Sequence, residues 1–302
     1  MKKNILFVVL ISLSTTVYCQ QEPIFANYLS NPLVLNPAYA GINNVFNASV
    51  SYRSQWGGFD GAAPNTASFS GHSSFFDNKV GGGLLFVTDK LGAQTNTYIS
   101  AVGSYKIDFG NVVFSFGMQA GVVRFDEDAS EFDVFDPDDP LFNQDNTFSK
   151  FNIGTGFALK GDNFFVGLSV PRLVNNVEEI EGIDSELYNR HFYLTLGYVY
   201  ELNASVALRP SAILRAVGDA PASLDLSGSV IIQDKYTAGI LTRNFNTYGL
   251  LAQMNISDKL RFGYIFEIPS DQSVGNSFNS HEITLMLDLE VFDFHNRGQR
   301  YF

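Results

Sequence analysis

The chain has 302 residues, with 31 acidic against 19 basic side chains, and it is rich in Phe, Tyr and Gly. A net charge of −12 argues against nucleic-acid binding, because a phosphate backbone needs a basic surface. The single cysteine, Cys19, excludes a fold that is held together by disulfides.

The first nineteen residues have the layout of a secretory signal. Two lysines precede an apolar stretch from Ile5 to Leu13, which is too short to span a membrane as a helix. We expect cleavage after Cys19, so that residues 1–19 are the signal peptide. The alternative is a lipoprotein acylated on Cys19, although Tyr18 stands where a lipoprotein carries a small residue.

Residues 20–43 do not resemble a strand, since Pro32 and Pro37 interrupt both long helices and hydrogen-bonded ladders. One interpretation is a simple leader that crosses to the first strand. The other is an ordered element, either a plug inside a barrel or a segment held at its periplasmic mouth.

From residue 44 onward, apolar and polar residues alternate. Near the end of the chain, for example, Leu285, Leu287 and Leu289 alternate with polar residues that include Asp288. Successive side chains of a strand point to opposite faces, so each segment has one apolar and one polar side. Fourteen segments show this pattern, at about 44–54, 64–75, 79–88, 93–107, 111–125, 148–160, 163–170, 188–200, 204–216, 221–233, 236–245, 247–256, 259–268 and 279–292.

The connections between these segments alternate in length. Short turns rich in Asp, Asn, Gly and Lys follow every second segment, as tight hairpins require. They lie at 77–79, 108–111, 160–163, 201–203, 234–235 and 257–259. The other connections are mostly longer: 55–63, 126–147, 171–187 and 269–278, with shorter ones near Lys90, Gly218 and Asn244.

This alternation is typical of an outer-membrane barrel, with short periplasmic turns and longer extracellular loops. The sequence therefore predicts an all-β fold, a transmembrane antiparallel barrel of about fourteen strands over 44–294, followed by a periplasmic tail at 295–302. The alternative is a soluble β domain with one wet face. Against it, the polar face carries charges that a lumen can pair: Arg53, Lys106, Arg124, Arg209, Arg215, Arg261, Glu267, Asp288 and Glu290.

Residues 126–147 contain nine acidic side chains and no basic one. Oxygen ligands suit calcium, but the segment lacks the twelve-residue calcium loop with its central glycine and terminal glutamate. We expect a solvated acidic loop. The functional alternative is that this loop binds a partner protein.

The sequence shows no enzyme signature. No two of the four histidines, His72, His191, His281 and His295, have the spacing of metal ligands. There is no G-x-S-x-G elbow, and the expected mature chain has no cysteine nucleophile. We therefore expect no catalytic residue, no cofactor and no metal.

Two motifs resemble the PorP/SprF family of outer-membrane barrels of the Bacteroidota. The first is the run from Phe25 to Gly41, which contains NP and LNPAYAG. The second is RSQWGGF from Arg53 to Phe59, followed by APNT at 63–66. The resemblance covers essentially the whole chain, down to its final Arg-Tyr-Phe. The one departure is a slightly longer stretch between Phe59 and Pro64, within a loop.

The resemblance implies a non-enzymatic role in type IX secretion and, in some members, in gliding motility. Its expected partners are secreted, adhesin-like cargo proteins with a C-terminal sorting domain, other secretion or periplasmic anchoring components, and the outer-membrane bilayer. The candidate partner-binding residues in the two motifs are Asn36, Pro37, Tyr39, Gly41, Arg53, Gln55, Trp56 and Phe59. The alternatives are an outer-membrane channel for small hydrophobic molecules, which would need an apolar lumen with a lateral opening, and a structural barrel without cargo.

Overall fold

A computed structural model describes residues 23–57, 63–128, 146–180, 183–218, 220–270 and 278–296. Two short 3₁₀ helices, Pro32–Val34 and Pro37–Tyr39, come first. The strands are β1 Phe46–Gly57, β2 Asn65–Phe75, β3 Val80–Leu91, β4 Gln94–Asp108, β5 Val112–Glu127, β6 Asn146–Gly161, β7 Phe164–Val170, β8 Asn176–Ile180, β9 Ile183–Tyr188, β10 His191–Tyr198, β11 Tyr200–Asn203, β12 Val206–Val217, β13 Ser223–Ile232, β14 Tyr236–Arg243, β15 Thr247–Asn255, β16 Leu260–Pro269 and β17 Asn279–Leu289.

These strands form a closed antiparallel barrel of fourteen strands, as the alternation predicts. Each barrel strand pairs with its neighbours in sequence, and β17 pairs with β1 from Phe46 opposite Leu289 to Gly57 opposite Asn279. Strands β10 and β11 together make one barrel strand, which is interrupted at Val199. No helix among the described residues is long and apolar enough to cross a membrane.

The short turns lie at the predicted places. They join β2 to β3, β4 to β5, β6 to β7, β11 to β12, β13 to β14 and β15 to β16. In the first of them, Phe76, Asp77 and Asn78 all have positive φ, which is the left-handed backbone that tight hairpins use. The longer connections therefore share the opposite end of the barrel, which we call the long-loop end.

Two predictions about this region are wrong. The sequence predicts a loop over 171–187, but β8 and β9 form a separate two-stranded sheet within it. The hairpin is missed because its acidic sequence does not alternate as a membrane-embedded strand must. Arg124 was placed on the inward face, but it is 57% exposed on the outward face, where Asp126 accepts its bond at 2.8 Å.

The apolar face points outward. On β17, Leu285 is 46% exposed while Asp288 is 3% exposed, and on β5, Met118 is 53% exposed while Ser115 is fully buried. Exposed apolar side chains of this kind recur on most barrel strands, as a lipid-facing surface requires. Glu290 lies beyond the end of β17 and is exposed.

Strand β6 is only partly paired on its second side. It pairs with β5 along its whole length, but with β7 only from Thr155 to Lys160. Among the described residues, the half of β6 nearest the long-loop end, from Asn146 to Gly154, has no strand neighbour there. A bond of 2.7 Å from Leu173 N to Ile153 O is the first main-chain contact on that side.

Candidate functional site

The lumen of the barrel is filled by residues 23–45, which we call the lumenal segment. Its side chains form much of the hydrophobic core, and Leu33, Ala38, Ala40 and Val45 are completely buried. Each of its 3₁₀ helices begins with a proline, which lacks the N–H that a first helical turn leaves unpaired. The prolines therefore shape the segment into short turns that fit inside the barrel.

Hydroxyl groups of the wall hold this irregular backbone. Carbonyl oxygens of a segment without regular structure need partners when they are buried. Serines at inward positions supply them: Ser169 donates to Leu35 O, Ser115 to Ala38 O and Ser104 to Ala40 O, each at 2.7 Å. Polar side chains on the inward face of the wall thus bind the main chain of the lumenal segment.

Side chains of the segment bond to other strands of the wall. Asn27 Nδ2 donates to Thr284 Oγ1 at 3.0 Å on β17, and Asn31 Oδ1 accepts a bond from Ser70 Oγ on β2 at 2.9 Å. Tyr28 OH lies 3.0 Å from Ser211 Oγ on β12. The segment is therefore attached around the ring and not to one side of it.

The LNPAYAG motif lies directly against the barrel wall. The Asn36 side chain accepts a bond from Ala38 N at 2.9 Å and donates one to Phe157 O on β6 at 3.0 Å. A methyl group added at Gly117 would lie 2.2 Å from Ala38 N, and one at Gly156 would lie 2.1 Å from Asn36 Oδ1. Glycine at these wall positions lets the backbones approach closely.

The segment leaves the lumen through a sharp turn at Gly41, whose φ of +62° favours glycine. Gly41 N donates to His72 Nδ1 at 3.0 Å, and Lys106 Nζ donates to Gly41 O at 2.5 Å. Lys106 also donates to Asn44 Oδ1 at 2.6 Å, so one lysine holds both sides of the turn into β1.

One side of the lumen wall is apolar. Leu85, Val87, Tyr98, Val102 and Val123 on β3 to β5 are all buried in the same core as the segment. The inward face therefore carries an apolar part beside the charged residues that the sequence predicts there.

Residues after β7 cover this apolar part of the wall. The guanidinium of Arg172 lies over two rings, 3.9 Å from the centre of Tyr98 and 4.6 Å from that of Tyr188. Gln119 Nε2 on β5 donates to Pro171 O at 2.7 Å. Such cation–π contacts stabilise a folded loop most when they are desolvated, and Tyr188 is fully buried.

The other side of the wall carries a buried network of ion pairs. Glu267 on β16 joins Arg53 on β1 to Arg243 on β14, the latter at 3.1 Å. Arg243 in turn contacts Asp225 at 3.1 Å, and Arg215 contacts the same carboxylate at 2.5 Å. Because each charge has an opposite partner, the cost of burying it is offset.

Glu282 connects this network to the lumenal segment. It contacts Arg53 at 3.3 Å, and its two oxygens accept bonds from Ala26 N at 2.9 Å and Asn27 N at 3.2 Å. The start of the described segment is therefore held by a charge-assisted bond at each of two adjacent amides.

The predicted site residues divide into three groups. Asn36, Pro37, Tyr39, Gly41, Arg53 and Gln55 are all buried inside the barrel. Trp56 lies half-buried in a bulge opposite Ser280, with a φ of +54° that is unusual for so large a side chain. Phe59 lies outside the described residues. Partner binding by the buried six stays a prediction, since a partner could reach them only if the packing inside the barrel opened.

Several residues of the site were not singled out from the sequence. These residues include Glu282, Asp225 and Arg243. They also include the three serines that bind the lumenal segment, Ser104, Ser115 and Ser169. The alternation of each strand shows that these residues point inward. It does not show which inward residues contact one another, because those contacts form only when the barrel closes.

The described part of the lumen is closely packed around the lumenal segment. Two lumenal cavities, beside Tyr39 and beneath Arg172, measure only about 10 and about 30 Å³. Among the described residues, no group of three or more His, Cys, Asp or Glu side chains is placed to hold a metal ion.

Comparison with solved structures confirms the fold class. The monoaromatic hydrocarbon channel CymD matches with a TM-score of 0.52 at 9% identity, over 88% of this chain and 94% of that one. A mutant of the monoaromatic hydrocarbon channel TodX matches with 0.51 at 10% identity, over 87% and 94%. Omp33 of Acinetobacter baumannii matches with 0.46 at 9%, over 82% and 100%. At these identities the first two show the barrel fold alone.

Comparison at the level of sequence identifies the family. No curated protein matches the chain. The family model described as type IX secretion system membrane protein PorP/SprF matches residues 17–287, which include both motifs up to the last strand. The chain belongs to the PorP/SprF family of type IX secretion system membrane proteins.

Proposed function

We propose that this barrel helps to export adhesin-like cargo proteins with a C-terminal sorting domain, or to attach them to the cell surface. It would do so as an integral protein of the outer membrane, after signal-dependent export, with its short-turn end facing the periplasmic machinery. The observation that carries the proposal is the filled lumen, because a barrel whose interior is occupied acts through its surfaces.

The contacts of the segment argue against a channel for small hydrophobic molecules. Such a channel needs an open apolar path, whereas here the apolar wall packs against Phe25 and Val34 and is covered by Arg172. The opposite wall is bridged by the ion pairs of Glu267. The hydrocarbon channels of similar fold share only 9–10% identity, so their ligands are not evidence for a ligand here.

Among the described residues, the half of β6 from Asn146 to Gly154 has no strand partner on the side away from β5, and this edge offers a surface for cargo. Main-chain groups of alternate residues point to the same side of a strand, so Phe151 and Ser149 direct theirs as Ile153 does, away from β5. The Phe151 side chain is 63% exposed at this edge. An extended segment of a partner could add here as a further strand, which gives affinity through the main chain and specificity through side chains.

Deletion of the gene tests the proposal. We expect one large surface protein to disappear from the surface proteome, while uptake of small hydrophobic nutrients stays unchanged. Re-expression of the wild-type chain should restore that protein. An unchanged surface proteome together with slower uptake of a hydrophobic nutrient would instead support the channel.

A further inference from the structure

A large groove lies on the outward face of the barrel, across β13 to β16 near the long-loop end. Its volume of about 550 Å³ falls within the range of ligand sites, roughly 300–1,000 Å³. We call it the outer groove. It is lined by Leu226, Ser227, Gly228, Ile240, Leu241, Thr242, Phe245, Tyr248, Gly249, Leu250, Phe266 and Ile268.

The shape of the outer groove follows from a small residue between large ones. Gly228 on β13 has no atom within 4 Å of the position where a side chain would begin. The large side chains beside it are Ile240, 67% exposed, Leu250, 61% exposed, and Phe245, 63% exposed. The result is a concave surface with apolar walls.

The position of the groove limits what can fill it. It opens on the face that the alternation of every strand directs toward the membrane, and its lining contains no charged side chain. It lies beside the turn at 244–246 and the end of β16 at Pro269, and so near the end where the longer connections lie. In an outer-membrane barrel with external long loops, this end lies in the outer leaflet.

We propose that the outer groove binds an acyl chain of lipid A, the lipid of that leaflet. A concave apolar surface makes more atomic contacts with a flexible hydrocarbon chain than a convex barrel wall does. The lipid in the groove would then exchange more slowly than lipids elsewhere around the barrel. This site is separate from the lumen and does not depend on a role in secretion.

Two glycine substitutions test the proposal. Gly228→Phe would place a ring in the groove, and it should fold because the position is open and faces lipid. Gly103→Phe is the matched control: Gly103 on β4 is also exposed, has equally open space, and lies on the other side of the barrel. Each protein is purified from its own outer membrane in mild detergent, and its bound lipids are weighed by native mass spectrometry.

We expect wild-type protein and the Gly103→Phe variant to retain lipid A, and the Gly228→Phe variant to lose it. Heat-modifiable migration on gels should be the same for all three, which shows that the barrel is folded. Equal retention of lipid A in all three would overturn the proposal, and so would retention of phospholipid alone. A wild-type dimer that Gly228→Phe converts to a monomer would also overturn it, since a second copy would then fill the groove.

Discussion

Asn36 of the lumenal segment donates a hydrogen bond of 3.0 Å to the main-chain oxygen of Phe157 on β6. The same side chain accepts from Ala38 N at 2.9 Å, so one amide both shapes the segment and attaches it to the wall. Asn36 is only 1% exposed, and loss of its side chain would leave buried polar groups without partners.

Substitution of Asn36 by alanine should therefore loosen the lumenal segment. We expect a loss of about 1–3 kcal/mol in the free energy that holds the segment in place. Hydrogen exchange of the amides of residues 35, 36 and 38–41 measures this directly, and their protection should fall. Asn203→Ala, at the exposed end of β11, is the control and should leave their protection unchanged. Unaltered exchange in the Asn36 variant would contradict the assigned anchor.

Substitution of Glu267 by glutamine should destabilise the barrel. Glu267 is 1% exposed and pairs with both Arg53 and Arg243, and its loss would leave buried positive charge uncompensated. Breaking a buried pair in this way costs about 3–5 kcal/mol. Urea unfolding in lipid vesicles measures the change. Glu201→Gln, on an exposed residue of β11, should shift the midpoint little, and equal shifts would refute a structural network.

An arginine at Leu285 tests which face of β17 meets lipid. Leu285 is 46% exposed between two buried neighbours, Thr284 and Met286. An arginine facing the bilayer midplane costs roughly 2–4 kcal/mol, so Leu285→Arg should slow or prevent folding into vesicles. Leu285→Phe keeps the surface apolar and should fold normally. Normal folding of the arginine variant would mean that the faces are reversed, because a slip of one residue exchanges them.

A proline at Ser149 tests the exposed edge of β6. Its N–H points away from β5, so proline would remove a donor from this edge without breaking the ladder with β5. We expect Ser149→Pro to reduce the amount of cargo at the cell surface while the barrel still folds. Ser149→Thr keeps the N–H and should retain the cargo. Full cargo retention by the proline variant would place docking elsewhere.

The barrel could be predicted from the sequence because its signals are local. Alternation along a strand depends on neighbouring residues, and a tight turn such as Asp77-Asn78 needs only its own few residues. The lumenal segment is different. Asn27 meets Thr284, and Asn36 meets Phe157, across long stretches of chain that become neighbours only when the barrel closes.

The errors have different origins. Tyr98 and Val123 interrupt the polar inward face, because they pack against a segment whose path the sequence does not reveal. Arg124 is a charge on the outward face, at the end of β5 where the chain meets water and Asp126 pairs with it. The alternation of β5 does reveal the outward position of Arg124, because Arg124 is in step with the exposed residues Met118 and Val122.

Conductance of the purified protein in planar lipid bilayers tests the filled lumen most directly. We expect no steady conductance from the wild-type barrel. A variant without residues 23–44 should conduct, and so should Gly117→Val, whose side chain would collide with Ala38. Gly103→Val, at an open position on the outward face, should stay closed. A steady conductance from the wild-type barrel, unchanged by removal of the segment, would contradict a closed lumen.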